Sequence, residues 1–112
     1  MSTDCIFCKI ICGSIPSKRI YEDEDVIAFN DINPSARVHF LIVPKLHIES
    51  LSSCETQHQT LLGKILLLAP KIAKEQGLDG FKTLINTGKE GGQEVFHIHI
   101  HVLGGGDKPP KI

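Results

Sequence analysis

The segment Phe96-His97-Ile98-His99-Ile100-His101-Val102-Leu103 alternates imidazole with aliphatic side chains. Alternation with period two is the mark of a strand with two unlike faces, His97, His99 and His101 on one and Ile98, Ile100 and Val102 on the other. Each imidazole costs desolvation when buried unless it is hydrogen-bonded, and each titrates near neutral pH. A row of three facing one way therefore points to a site and not to plain core. One metal ion cannot collect all three. The outer Cα atoms stand about 13 Å apart at roughly 3.3 Å per residue, whereas a zinc–nitrogen bond is only about 2 Å long. The row must divide its labour. His39 and His47 flank the apolar segment 38–43 and could approach it from a neighbouring strand, whereas His58 has polar neighbours and reads as solvated.

The rest of the chain supplies a scaffold for such a strand. Ile6, Phe7, Ile10 and Ile11 stand at helical spacing within 5–12, with Gly13 as a stop. Segments 19–21 and 26–29 read as strands around an acidic turn at 22–25, and 38–43 as a strongly apolar strand ended by Pro44. Residues 55–76 form the one long helical pattern, with Leu61, Leu62, Ile65, Leu68 and Ile72 in register and Gly77 behind. Pro70 inside it is expected to kink the helix or leave a carbonyl unpaired. Leu66, Leu67 and Ala69 make the stripe wider than one sheet face needs, which suggests burial on two sides. Segments 81–86 and 96–103 complete the set, joined by a glycine-bearing loop at 87–94. Short helix, three strands, long helix and two strands predict an α+β domain with an antiparallel meander.

The 112 residues make one domain over 1–112, without repeat or linker, and the domain is small enough for dimerisation to add usefully to its buried surface. Twelve Lys and Arg against thirteen Asp and Glu give a net charge of −1, which offers no basic stripe for nucleic acid. The longest apolar run, 65–69, is far too short to span a membrane, and the N-terminus is not a signal region. The expected setting is cytoplasmic. In a reducing compartment Cys5-Ile6-Phe7-Cys8 reads as a thiol pair, a metal half-site or a redox motif. A redox motif would follow a strand, and none precedes it, so metal or plain thiols remain. Cys12 and Cys54 read as ordinary thiols.

His97-Ile98-His99-Ile100-His101-Val102-Leu103 resembles the signature of the histidine-triad (HIT) family. The resemblance runs through nearly the whole chain: Cys5-Ile6-Phe7-Cys8-Lys9-Ile10-Ile11, Ala28-Phe29-Asn30-Asp31-Ile32-Asn33-Pro34, His39-Phe40-Leu41-Ile42-Val43-Pro44-Lys45, Gly91-Gly92-Gln93-Glu94-Val95-Phe96 and Gly104-Gly105. It is closest to the nucleotide-binding (Hint) branch. The resemblance implies a HIT-like fold, with a five-stranded antiparallel sheet, one short N-terminal helix and one long helix. It also implies a homodimeric nucleotide hydrolase or transferase.

Carried onto this chain, the family pattern makes His99 the nucleophile. Its ring nitrogen attacks the phosphorus of a purine nucleoside 5′-phosphoramidate of the AMP-amine or AMP-lysine type, giving a nucleotidyl-histidine intermediate that water cleaves. His101 contacts the phosphate or delivers a proton to the leaving group, and His39 supports the hydrogen bonds there. Phosphate donors are expected from the Asn86 and Gln93 amides and from backbone N–H groups near Gly92, Glu94 and Val95. The Glu94 carboxylate would repel phosphate and is expected to point elsewhere. Asp31 would accept the ribose hydroxyls, with Ile6, Phe7, Ile10, Phe29, Ile32 and Leu41 around a weakly selective base, so AMP- and GMP-type nucleotides are both expected. Some HIT proteins bind structural zinc through residues matching Cys5, Cys8, His47 and His97, a normal closed tetrahedral set. Two other readings are a dinucleoside-polyphosphate hydrolase and a non-catalytic nucleotide- or zinc-binding interaction module.

Overall fold

The computed structural model describes residues 4–106. Among them, α1 (Ile6–Ile11) precedes three strands, β1 (Arg19–Glu22), β2 (Val26–Asn30) and β3 (Val38–Pro44). Then come α2 (Gln59–Glu75), β4 (Lys82–Leu84) and β5 (Ile100–Gly104). The five strands form one antiparallel sheet in the order β1-β2-β3-β5-β4. The expected meander holds for the first three strands only, because β5 inserts between β3 and β4. The neighbouring strands β3 and β5 therefore come from distant parts of the sequence.

Alternation sorts the two faces. Val26 and Ala28, Phe40 and Ile42, and Ile100 and Val102 pack against Ile65, Leu68, Ala69, Ile72 and Ala73 of α2. Ile27 and Phe29, with Leu41 and Val43, pack on the other face against Phe7, Cys8 and Ile10 of α1. Burial on both faces is why β2 and β3 read as unbroken apolar runs. The acidic turn between β1 and β2 is held by Asp23, whose Oδ1 accepts the N–H groups of Asp25 and Val26 at 2.8 and 2.9 Å.

Several expectations change. Regular pairing of the histidine segment starts only at Ile100, and not at residue 96. The β3–β5 register would set Ile98 against Pro44, which has no N–H to give. Ile98 instead donates its N–H to the Ile48 carbonyl at 2.7 Å. The alternation survives nonetheless. Ile98, Ile100 and Val102 are buried, and Phe7 on the α1 side touches the rings of both His97 and His99. Segment 81–86 contributes only Lys82–Leu84 as strand. The long helix is preceded by a 3-10 turn, Thr56–His58. His58 is half-buried and not merely solvated, since its Nδ1 accepts the Glu55 N–H at 2.9 Å. α2 runs through Pro70, and the carbonyl deprived of its donor belongs to Leu66, on an exposed stretch where water can reach it. Leu66 and Leu67 are 49% and 76% exposed, so within one chain the second side of the stripe is open. No helix among the described residues is long and apolar enough to cross a membrane.

Candidate active site

On the α1 face a cavity of about 290 Å³ opens between helix, sheet and the loop before β5. Its apolar end is lined by Ile6, Phe7, Ile10, Phe29, Ile32 and Leu41, and its polar end by Asn30, Asp31, Asn86, Gly92, Glu94, Val95, His99 and His101. Every nucleotide-site residue expected from sequence lines it except Gln93. Ile32 is only a rim residue, 91% exposed. Asn30, the last residue of β2, was not anticipated. The sequence signal for it was its place directly before Asp31.

Hydrogen bonds fix the tautomer of each imidazole. His99 Nδ1–H donates to the His97 carbonyl at 2.8 Å, which leaves Nε2 unprotonated with its lone pair free among the described residues. His39 Nδ1 accepts the Ser35 N–H at 3.0 Å, so the proton of neutral His39 is on Nε2. That proton goes to His101 Nδ1 at 2.9 Å, which leaves His101 carrying its own proton on Nε2. Burial lowers the His99 pKa against the opposing hydrogen bond to His97. Burial, then the neighbouring His99 and His39, lowers His101 to about 4. Near neutral pH the site thus pairs an unprotonated nitrogen at His99 with an N–H at His101, their ring centroids 5.0 Å apart. Phe7 stands edge-on to His99 at 5.0 Å and fixes the ring plane.

Asp31 faces this pair. Its Oδ2 lies 3.5 Å from His39 Nε2 and 3.9 Å from His101 Nδ1, while Oδ1 accepts the Asn33 N–H at 2.8 Å. Asp31, His39 and His101 are close enough to suggest a metal cluster. The Ser35 hydrogen bond argues against one, since it forces the only His39 proton onto the nitrogen a metal would need.

The loop before β5 differs from expectation at two positions. The Gln93 carboxamide is buried and wholly engaged with backbone, so it is not a phosphate donor. The Gly92 N–H is likewise spent on the Lys89 carbonyl at 3.1 Å. Asn86 Nδ2 donates to the Gly91 carbonyl at 2.8 Å, which folds the loop toward the cavity. Glu94 is exposed and stands where the cavity meets a second groove lined by Asp4, Cys5, His47 and Glu49.

Cys5, Cys8, His47 and His97 form a second cluster, with their donor atoms all within 4.8 Å of one another. His97 is fully buried and donates Nε2–H to the Pro44 carbonyl at 2.7 Å, which turns an unprotonated Nδ1 to the cluster. That Nδ1 lies 3.3 Å from Cys5 Sγ, 3.6 Å from Cys8 Sγ and 3.2 Å from His47 Nδ1, and Cys8 Sγ lies 3.3 Å from His47 Nδ1. A tetrahedral site with these ligands has edges of roughly 3.3–3.8 Å. The four residues therefore fit a metal ion, and the second hydrogen bond of His97 is the kind that orients a ligand. Without a cation, burial and then the Cys5 hydrogen bond push the Cys8 thiol up to about 11. Cys5 also caps α1, its sulfur accepting the Cys8 N–H at 3.3 Å.

Comparisons with known proteins agree with this geometry. A family model described as "Scavenger mRNA decapping enzyme C-term binding" matches residues 4–110. Protein HitA of Neisseria gonorrhoeae is 58% identical over 102 residues, 90% of this chain and 95% of that protein. The purine nucleoside phosphoramidase of Escherichia coli K12 is 44% identical over 107 residues, 94% of this chain and 90% of that one. A histidine triad protein from Clostridium difficile, solved at 0.95 Å, superposes with a TM-score of 0.92 at 46% identity, covering 100% of this chain and 99% of that one. A zinc-bound histidine triad family protein from Mycobacterium smegmatis superposes with a TM-score of 0.80 at 37% identity, covering 92% and 76%.

Proposed function

Since the chain belongs to the histidine-triad (HIT) superfamily and is a hydrolase, we propose that it cleaves purine nucleoside 5′-phosphoramidates through a nucleotidyl-histidine intermediate. The observation that carries this reading is the unprotonated His99 Nε2 beside the His101 Nε2–H in one cavity. In the first step His99 Nε2 bonds to phosphorus and the P–N bond breaks, the departing nitrogen taking its proton from solvent while the His101 Nε2–H hydrogen-bonds a phosphate oxygen. In the second step water attacks phosphorus, its proton passes to solvent, and the bond to His99 breaks, which restores the unprotonated Nε2. The products are the nucleoside monophosphate and the free amine. Splitting one displacement into two is what a neutral imidazole nucleophile offers.

The nucleoside occupies the apolar end, with Asp31 beside the ribose. Apolar walls discriminate purines weakly. Charge supports an amine leaving group over a polyphosphate. The charged residues among the described lining are Asp31 and Glu94, with no Lys or Arg to receive several negative charges.

Zinc is the proposed occupant of the Cys5, Cys8, His47 and His97 cluster. Its donor set favours that ion, and a zinc-bound relative supports it. Zinc there supplies structural cross-linking of α1 to the sheet, and His99 and His101 stay outside the set. A homodimer is proposed across the open side of α2 at Leu66 and Leu67.

Hydrolysis of adenosine 5′-phosphoramidate, compared with a diadenosine polyphosphate under identical conditions, tests the reading. Faster turnover of the amidate is expected. Faster turnover of the polyphosphate, or none of either, would overturn it.

A further inference from the structure

We propose that Gln93 is a positioning residue that presents backbone N–H groups to the substrate phosphate without touching the nucleotide. The inference rests on the hydrolase reading and deepens it. Gln93 is 6% exposed and does not line the cavity. Both Nε2 hydrogens are used, on the carbonyls of Glu49 at 2.7 Å and Val95 at 3.0 Å. Its Oε1 accepts the Gly88 N–H at 2.9 Å. One carboxamide thus ties the beginning of the loop, its end and the segment after His47 into a single unit.

The loop's own bonds show what is left over. Gly91 and Gln93 donate their N–H groups to the Gly88 carbonyl, and Gly92 donates to Lys89. Gly88 and Gly92 adopt φ of +73° and +82°, the left-handed region that favours glycine. This leaves the N–H groups of Glu94 and Val95, which have no acceptor among the described residues although both residues line the cavity. Two adjacent unpaired donors in the cavity that His99 also lines form the arrangement that stabilises charge developing on phosphate oxygens. Their direction depends on Val95, whose carbonyl Gln93 holds, and on the chain crossing Gln93 itself.

The side chain of Gln93 is isosteric enough with Met for Gln93→Met to remove all three bonds at little change in volume. Calorimetric titration of the whole protein with AMP and with adenosine separates the phosphate end from the nucleoside end. The expected result is a loss of AMP affinity of about tenfold or more with adenosine affinity unchanged. In the wild type, amide resonances of Glu94 and Val95 are expected to shift on AMP addition while the Gln93 side-chain amide stays in place. Gln93→Glu is a second variant that keeps the test open if Gln93→Met folds poorly. Protonated, it can still donate to one carbonyl and accept from Gly88, whereas ionised it repels both carbonyls. Its AMP affinity relative to wild type is expected to recover on acidification. Equal losses for AMP and adenosine, or a large shift of the Gln93 side-chain amide on AMP binding, would overturn the proposal. So would a pH-independent deficit in Gln93→Glu. Wild-type phosphoramidate turnover reports separately on the reaction, because none of these measurements requires turnover.

Discussion

His99 donates its Nδ1–H to the carbonyl oxygen of His97 at 2.8 Å, so one backbone oxygen fixes which nitrogen of the proposed nucleophile is free. The same His97 offers its ring Nδ1 to the cluster of Cys5, Cys8 and His47 and anchors its Nε2–H on Pro44. The two sites share a residue but use different atoms of it, and the predictions below turn on that separation.

Replacing His99 by Ala or Gly should abolish turnover while AMP still binds, because the residues around the base and ribose are untouched. A lost nucleophile should lower the rate by more than about a hundredfold. Steady-state kinetics with parallel AMP calorimetry measures both, and retention of more than about a hundredth of the wild-type rate would remove His99 from that role.

Acid should act on stability through His101 and on rate through His99. Its folded pKa is about 4, below the unfolded value of about 6.5. The unfolded chain therefore binds more protons between these values. The contribution of His101 to stability is complete above about pH 6.5 and is lost as pH falls toward 4. The acid limb of kcat/KM follows protonation of His99 Nε2, whose pKa burial lowers, and should lie below the ordinary imidazole range. A pH–rate profile with its acid limb at about 6.5 or above would show that burial does not hold the nucleophilic imidazole unprotonated.

Protein purified without chelator should contain close to one zinc per chain by elemental analysis. Chelation should lower its Tm, because binding free energy is folding free energy. Joint Cys5→Ser and Cys8→Ser should reduce stability more than turnover. The His97 carbonyl stays in place through the Pro44 bond and the Ile98-to-Ile48 backbone bond. Loss of activity with unchanged Tm would make the metal catalytic, and no zinc at all would return the cysteines to ordinary thiols.

Leu67, 76% exposed on α2, should lie in a dimer interface. Sedimentation at micromolar concentration should give a dimeric mass, and Leu67→Glu a monomeric one. A monomeric wild type would refute this.

Glu94→Gln should narrow the preference for amine over polyphosphate leaving groups by weakening the repulsion of anions at the cavity mouth. The ratio of kcat/KM values for the two substrate classes is the readout, and an unchanged ratio would place the discrimination elsewhere.

Much of the fold was legible because β2 and β3 are buried on both faces and α2 on one, so apolar pattern and geometry coincide. The triad was legible because the alternation of His97, His99 and His101 with Ile98, Ile100 and Val102 persists even where regular pairing stops. What the sequence hid were effects that depend on distant backbone. Pro44 ends the β3–β5 ladder, Ser35 sets the tautomer of His39, and Glu49 accepts from Gln93. Gln93 looked like a phosphate ligand for that reason, since its residue type is right and only the location of its acceptors is decisive. The order of β5 and β4 was hidden similarly, as local pattern does not say which neighbour a strand will choose.

The most direct measurement is rapid-quench mass spectrometry of a single turnover of adenosine 5′-phosphoramidate. A nucleotidyl adduct on His99 should accumulate and decay at rates consistent with turnover, and the adduct should be missing in His99→Gly. Hydrolysis that proceeds with no adduct at any time, or with the adduct on another residue, would contradict the assignment of His99 as the nucleophile.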